Sequence, residues 1–304
     1  MRKWLSSERG GFSGVNHVLI AIMITMLLLI VPLPVISQFF TTMILSSPLT
    51  GLVAFLLICG GALLPDMDNL KSDGGSAATW DLGVLGSIIS TIMVTISSVV
   101  TSIFHGKKDV NPETQHRFFW HTLFVPLVLL VVTYFTMPDT QTPVIEHFTN
   151  FNIQAFPSYM LIVLLGMAIC VYVGAHLLLK KLAKIMPIDI RPGMVSLALS
   201  GIAIAVGIAL STEHDLKMYA YCISIGYLLH LLGDMFADGG IPALFPISGI
   251  FGKFFMRVKL LPVTVSTGST IESLLKIVFL VIDIVLAIIV FFPGLVSLDA
   301  ILGM

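Results

Sequence analysis

The sequence predicts an all-helical integral membrane protein. Of its 304 residues, 57% are hydrophobic and only 11% are charged, and the mean hydropathy is +1.01. Soluble domains carry about 25% charged residues, so this composition is typical of a polytopic membrane protein. The apolar residues fall into seven or eight runs separated by polar loops. We therefore expect one membrane-embedded helical bundle over residues 15–292, with a cytoplasmic segment 1–14 and a tail 293–304.

The charges between the apolar runs predict the orientation of the chain. Lys and Arg are concentrated before the first run, after residue 179 and near residue 255, whereas the loop 137–157 has acidic residues and no Lys or Arg. By the positive-inside rule, the N-terminus then lies in the cytoplasm and the loop 137–157 lies outside. We expect the membrane to be the cytoplasmic membrane of a bacterium or archaeon. The candidate helices are Val15–Ile36, Leu49–Leu64, Trp80–Phe104, Thr122–Phe135, Tyr159–Leu179, Met194–Leu210, Ala220–Ala237 and Ile271–Phe292.

The run Trp80–Phe104 is the exception in this scheme. The count of crossings requires it to start and end on the inner side, so we expect a re-entrant hairpin or a helix lying in the membrane interface. Its glycines and its Ser- and Thr-rich second half permit a break, because irregular backbone is tolerated at membrane depth where protein buries it.

The most informative pair of polar residues is His230 and Asp234, which lie inside the run Ala220–Ala237. Residues four apart on a helix project from the same face, within reach of one metal ion. Ionisable groups at membrane depth are costly and mark a functional site by default. A His–Asp pair that only packs helices together is the alternative.

Other histidines and carboxylates fall at the same predicted membrane face. If the N-terminus is inside, five separate stretches of the chain bring such residues to the inner ends of the apolar runs. A random scatter would divide them between both faces. The candidates are eight residues, namely His17, Asp66, Asp68, His116, His121, His230, Asp234 and Glu272.

Mixed histidine and carboxylate ligands suit zinc, with manganese or iron as alternatives, and the candidates suffice for one or two ions. A bound ion lowers the pKa of its water, and a carboxylate such as Asp68 or Glu272 can act as general base. Arg117 could neutralise developing negative charge, and Lys253 or Arg257 could orient an anionic group. Asp283, within the last apolar run, has no assigned partner.

Composition also excludes some function classes. The net charge of −1 gives no general attraction to nucleic acid, so any electrostatic function must be local. Cys59, Cys170 and Cys222 lie in apolar runs and form no CxxC pair, so we expect inert buried thiols.

The order of these motifs from His17 to Glu272 resembles the YdjM family, inner-membrane proteins described as metal-dependent hydrolases. The resemblance is carried by His17, Gly61-Ala-Leu-Leu-Pro-Asp66-Met-Asp68, His116-Arg117 with His121, His230 with Asp234, and Thr267-Gly-Ser-Thr-Ile-Glu272. It implies metal ligands at His17, Asp66, His116, His121, His230 and Asp234, with Asp68 and Glu272 nearby. The extra spans around Tyr159–Leu210 depart from the family. More distantly, the order is similar to that of the all-helical zinc-dependent phospholipases C, which implies phosphoester hydrolysis.

We therefore expect a metal-dependent hydrolase of the cytoplasmic membrane that acts on a membrane lipid or a lipid-linked substrate. One alternative is a metal-ion or proton transporter that uses the same cluster. Transport needs polar groups at both faces, and the outer halves of the runs are largely bare. The other alternative is a non-catalytic scaffold, in which the His–Asp pairs only lock helices together.

Overall fold

A computed structural model describes residues 14–30, 41, 48–68, 83–105, 119–149, 157–185, 192–236, 240–245, 258, 260, 265 and 269–292. Of these residues, 83% are helical and none lies in a strand, which confirms the all-helical class. The elements are α1 (Gly14–Ile30), α2 (Pro48–Gly61), a 3-10 turn (Pro65–Asp68), α3 (Gly83–His105), α4 (Phe124–Thr136), α5 (Val144–Thr149), α6 (Ser158–Ile185), α7 (Pro192–Ala209), α8 (Glu213–Met235) and α9 (Thr270–Phe291).

Three of the described helices are long and apolar enough to cross a membrane. They are α8, α9 and the Ser158–His176 part of α6, and five further helices contain shorter apolar segments. Of the seven or eight predicted spans, length and composition therefore establish three. Within α9 only 11% of the residues in the apolar window are buried, so this helix lies at the periphery of the described bundle, where it packs against α1.

Helix α8 is the centre of the bundle, since it packs against α1, α2, α4 and α6. Leu216, Tyr219, Cys222 and Leu231 on this helix are each at most 1% exposed. Thr212 and Asp215 form a reciprocal capping box, which fixes the first turn of α8.

The chain runs alternately between two ends of the bundle. We call the end that contains residues 62–68, 119–123, 230–236 and 240–245 the site end, and the end that contains residues 137–144 and 210–215 the distal end. At the distal end, the Val144 amide donates to the Ser211 carbonyl at 2.9 Å and the Glu213 amide donates to the Thr142 carbonyl at 3.0 Å.

The distal end has polar pairs in the segments that connect the apolar runs and at the helix starts. Glu213 accepts hydrogen bonds from the Tyr159 hydroxyl, at 2.7 Å, and from Thr140, and it lies 3.0 Å from His147 Nε2. His214 pairs with Asp139, and this hydrogen bond lowers the pKa of the Asp139 carboxyl from its ordinary value. These pairs attach the segment before α6 to the start of α8, so they have a structural explanation.

Glycines allow α2 to approach its neighbours at backbone distance. A Cβ atom at Gly226 of α8 would lie 2.1 Å from the Ile58 carbonyl oxygen, and one at Gly60 would lie 2.2 Å from that of Cys170. At Gly61 the corresponding distance to the Ile223 carbonyl is 2.4 Å. No side chain fits into these gaps, so glycine sets the separation of α2 from α6 and α8.

The segment that disagreed with the predicted topology forms one uninterrupted helix, α3. A re-entrant hairpin needs a turn within the segment, and α3 has none, so the hairpin alternative is wrong. Thr95 and Thr101 donate to the carbonyls of Thr91 and Ser97, at 2.7 and 2.6 Å. A hydroxyl bonded to a carbonyl of its own helix leaves the backbone hydrogen bonds of that helix in place, which explains why the Ser- and Thr-rich half does not break the helix.

We predict that Gly226→Ala destabilises the protein, because the new methyl group would overlap the backbone of α2. Gly201→Ala is the matched control, since a Cβ atom at Gly201 has no neighbour within 4 Å. Thermal unfolding of the detergent-purified variants should show a lower Tm for Gly226→Ala and an unchanged or slightly higher Tm for Gly201→Ala. Equal Tm values for the two variants would contradict the close helix approach.

Candidate metal centre

Five ionisable side chains from four parts of the chain converge at the site end. His17 comes from the first turns of α1, Asp66 from the 3-10 turn, His121 from the loop before α4, and His230 and Asp234 from the end of α8. Four of them are fully buried, and the Asp66 side chain is 14% exposed. All five were predicted as ligands from the sequence, and the structure brings them together.

The Asp234 carboxylate lies at the middle of this group. Its Oδ1 is 3.4 Å from His17 Nε2, and its Oδ2 is 3.5 Å from His121 Nε2 and 3.3 Å from His230 Nε2. These separations are longer than the 2.7–3.2 Å typical of N–H···O hydrogen bonds. The three imidazole nitrogens therefore surround the carboxylate without forming short hydrogen bonds to it.

Asp66 completes the group from the other side. Its Oδ1 is 3.5 Å from His121 Nε2 and 3.8 Å from His230 Nε2. Two overlapping triads result, His17–His230–Asp234 and Asp66–His121–His230, and the donor atoms of each triad lie within 4.8 Å of one another. His230 belongs to both triads, so it links the two halves of the centre.

The ring of His230 is oriented by the backbone of α2. Its Nδ1 is 2.7 Å from the Ala62 carbonyl oxygen, which can only accept, so Nδ1 carries the proton in this pair. Nε2 is then left with its lone pair towards Asp66 and Asp234, and it has no hydrogen-bond partner among the described residues. A histidine with one nitrogen held by a carbonyl and the other presented to acidic groups has the usual arrangement of a metal ligand.

The end of α2 places both the Ala62 carbonyl and Asp66. Beyond Gly61 the chain tightens, with the Leu63 amide donating to the Gly60 carbonyl at 2.9 Å, and Pro65 then begins the 3-10 turn. Proline suits the first position of such a turn because its ring fixes φ and no amide hydrogen is needed there. The turn brings Asp66 back over the end of α8.

Three hydrogen bonds hold the loop that carries His121. The Tyr227 hydroxyl of α8 donates to the Trp120 carbonyl, the Leu123 amide donates to the Ala243 carbonyl at 3.1 Å, and the Thr122 hydroxyl donates to the Phe119 carbonyl at 2.8 Å. These bonds hold His121 rigidly although it belongs to no helix.

His17 reaches the centre because α8 has glycine at position 233. The rings of His17 and His230 stack with centroids 3.8 Å apart and an interplanar angle of 24°. A Cβ atom at Gly233 would lie 2.8 Å from His17 Nδ1. Two protonated imidazoles would repel each other at this separation, so the stack favours neutral rings, the form that binds metal ions.

The geometry fits a metal ion. Nitrogen and oxygen ligands at about 2.0–2.2 Å from zinc, at the tetrahedral angle, are separated by about 3.4 Å. The four nitrogen–oxygen distances of 3.3–3.5 Å match this separation, and the fifth, of 3.8 Å, corresponds to a wider angle at the ion. Neutral imidazoles and carboxylates are also the donor types that zinc, manganese and iron accept.

Electrostatics keeps Asp66 ionised within this group. Burial alone would raise the pKa of the Asp66 carboxyl, but the positive charge of the His230 ring in its protonated form and the contact with His121 outweigh burial and hold the pKa below its ordinary value. An ionised carboxylate is the form that binds a cation.

The remaining predicted residues have mixed outcomes. His116 and Arg117 lie outside the described residues, as do Lys253 and Arg257. Asp68 lies in the 3-10 turn, next but one to Asp66. Glu272 is buried in the first turn of α9, where it accepts a hydrogen bond of 2.9 Å from Asn16 Nδ2. The catalytic roles of Asp68, Arg117 and Glu272 stay predictions.

Sequence reasoning missed three supporting groups. Asn16, which precedes His17 in α1, is hydrogen-bonded to Glu272 of α9. Gly233 makes room for the His17 ring, and the Ala62 carbonyl orients His230. Asn16 was recognisable as a polar residue at the start of an apolar run, but a backbone carbonyl has no signature in the sequence.

Comparisons with protein-family models, with curated proteins and with solved structures gave no match to this chain. The resemblance to the YdjM family therefore stays a prediction, and the functional argument rests on the residues themselves.

We predict that Gly233→Ala weakens metal binding while the protein remains folded. The new methyl group would push the His17 ring out of its stack with His230, and changes beside a ligand typically reduce metal affinity by roughly 10–100-fold. Gly166→Ala is the control, because its nearest neighbour is a flexible Ile223 methyl at 3.5 Å. Titration with zinc in detergent should show the loss for Gly233→Ala alone. Equal affinities would mean that His17 is not a ligand.

Proposed function

We propose that this chain is a membrane metalloenzyme that hydrolyses a phosphoester or related bond in a membrane-associated substrate. The observation that supports it best is the set of ligand-to-ligand distances around Asp234, which suit one divalent transition metal ion. Zinc is the first candidate by geometry and donor type, with manganese and iron as alternatives. The resemblance to the YdjM family and to zinc-dependent phospholipases C points to the same chemistry.

The described residues supply ligands for one ion rather than two. Two ions about 3.5–4 Å apart need six to eight ligands in total, and five are present. His230 would be shared if a second ion bound, and additional ligands would have to come from residues such as Asp68 or His116. We therefore expect one equivalent of tightly bound metal.

The chain's own residues would divide the work of hydrolysis among them. A bound divalent ion would lower the pKa of its water molecule and neutralise negative charge on the reacting phosphoryl group. The attacking water forms the new P–O bond, its proton passes to a carboxylate, and the P–O bond to the leaving oxygen breaks. Asp68 is the first candidate for that carboxylate because it lies in the same 3-10 turn as the ligand Asp66. Arg117 would stabilise the developing charge.

The charge pattern supports a cytoplasmic location for the site end. The basic residues before α1 and at the end of α6 (Lys180, Lys181 and Lys184) flank the helix ends that lie there. By the positive-inside rule these ends stay in the cytoplasm.

The metal content of the purified protein tests this proposal. We expect about one equivalent of a transition metal in the wild type, because five ligands are present, and none after His230→Ala, which removes the ligand shared by both triads. His176→Ala is a matched control, since His176 is also buried but stacks on Tyr172 outside the centre. Elemental analysis of detergent-purified protein, prepared without chelator, measures this directly.

The same three proteins should differ in hydrolysis of the chromogenic diester bis(p-nitrophenyl) phosphate. Wild type and His176→Ala should hydrolyse it, and His230→Ala should fall to the background rate. Metal-free wild-type protein would favour the scaffold alternative. Metal-loaded protein that is inactive towards this diester and towards phospholipid vesicles would reject the hydrolase and leave a metal site of another function.

Transport is the second candidate because of one observation. Asp283 in α9 is 6% exposed, and neither of its carboxylate oxygens has a hydrogen-bond partner among the described residues. It lies 11 residues beyond Glu272, about 16 Å along the helix, and therefore far from either end of α9. Buried carboxyl groups at such depth are typical of ion and proton pathways.

If transport is the function, Asp283→Asn should abolish zinc- or proton-dependent flux into proteoliposomes while the metal content is unchanged, because Asp283 is not among the five ligands. Flux can be followed with an internal zinc-sensitive or pH-sensitive dye. No flux in the wild type, or equal flux in both proteins, would remove this candidate.

A further inference from the structure

Helix α3 has three distinct surfaces. Five β-branched apolar residues spaced four, four, three and four apart fall within about 80° of the helix circumference, and each is between 39% and 70% exposed. They form the α3 stripe, which consists of Ile88, Ile92, Ile96, Val99 and Ile103. Met93 and the buried Ser97 and Thr101 face the protein instead.

A third surface of α3 is lined with hydroxyl groups. Thr91, Thr95, Ser98 and Ser102 fall in one sector beside the α3 stripe, and all four are partly or fully exposed. An apolar face next to a polar face is the pattern of a helix that lies along a membrane surface. A helix that crosses the bilayer would instead be apolar on all sides that meet lipid.

The middle of α3 touches the ends of other helices. Met93 packs against a small cluster of Leu63, Tyr172 and Val173, and its carbonyl accepts a hydrogen bond of 2.7 Å from Trp120 Nε1. Leu63 follows the end of α2, and Trp120 precedes the start of α4. The main helical contact of α3 is with the 3-10 turn rather than with a spanning helix. This arrangement places α3 across the site end of the bundle.

The chain's path is consistent with the same placement. The end of α2 and the start of α4 are both at the site end, so a crossing by α3 would require residues 106–118 to return through the membrane. Those 13 residues include five charged ones, each costing about 2.5–3.5 kcal/mol at the bilayer centre. An α3 that stays at one membrane surface needs no such return.

We propose that α3 is an interfacial helix that lies along one membrane surface beside the metal centre, with the α3 stripe inserted among the acyl chains of that leaflet. The hydroxyl face then meets the lipid head groups, and the buried face covers the 3-10 turn that carries Asp66. The partner of this surface is the lipid leaflet itself.

This placement also narrows the substrate class, and that consequence rests on the proposed function. A centre beside an interfacial helix is reached most directly by the polar head of a molecule whose chains remain in the leaflet. We therefore expect an amphiphile with a phosphoester head group to be hydrolysed in preference to a water-soluble phosphoester of the same head group.

Site-directed spin labelling tests the position of α3 without reference to activity. Each residue of the α3 stripe is replaced singly by Cys and labelled, and the native cysteines are buried, so unmodified wild type should take up little label. Depth is measured from collisions with oxygen and with a nickel chelate, in nanodiscs of phosphatidylcholine and phosphatidylglycerol. Labels at Leu274, Ile277, Val281 and Ile288 of α9 provide the matched comparison.

We expect all five labels on the α3 stripe to report one depth, within about one helical turn. The α9 labels should report a progressive change over about 21 Å, the length of 14 residues. A progressive change along α3, or five labels in water, would overturn the proposal. A failure of the hydrolase assays would not affect this result, and a uniform α3 depth with inactive protein would reject the proposed function alone.

Discussion

The structure depends on how the Asp234 carboxylate is held inside an apolar bundle. An ion taken out of water costs several kcal/mol unless its charge is closely compensated. Three imidazole nitrogens surround Asp234 at 3.3–3.5 Å, a distance too long for strong hydrogen bonds and suitable for ligands of a common cation. Each imidazole comes from a different part of the chain, namely α1, the loop before α4, and α8. The same contacts that would bind an ion therefore also join these elements.

Glycine packing makes this convergence possible. Gly226 and Gly61 bring α2 and α8 to backbone distance, and the Ala62 carbonyl thereby comes within 2.7 Å of His230 Nδ1. Gly233 opens the space into which the His17 ring fits. The helices are rigid over these lengths, so a small displacement at Gly226 would move His230 relative to Asp66. The packing of the apolar core therefore also determines the geometry of the centre.

The sequence predicted the helical class and the convergence of five histidine and aspartate side chains, because both follow from local signals. The spacing of His230 and Asp234 places them on one helix face, and the positions of His17, Asp66 and His121 at the ends of apolar runs place them at one membrane face. The hydrogen bond between Asn16 and Glu272 joins residues that are 256 positions apart, and no local sequence pattern predicts it. The glycines and the hydroxyl-rich half of residues 80–104 suggested a break, whereas side-chain hydroxyls bonded to their own helix preserve α3.

The lengths of the helices explain where the centre lies. Helices α2 and α4 have 14 and 13 residues, about 21 and 20 Å, while the hydrocarbon core of a bilayer is about 30 Å thick. Neither helix is long enough to cross that thickness, so in the proposed membrane placement the 3-10 turn and the His121 loop lie at membrane depth. Irregular backbone at that depth is tolerated where protein buries it or where it lines a polar cavity. Covering that backbone is the role that the proposed interfacial position gives to α3, and it accounts for the burial of Ser97 and Thr101 on a helix whose other faces are exposed.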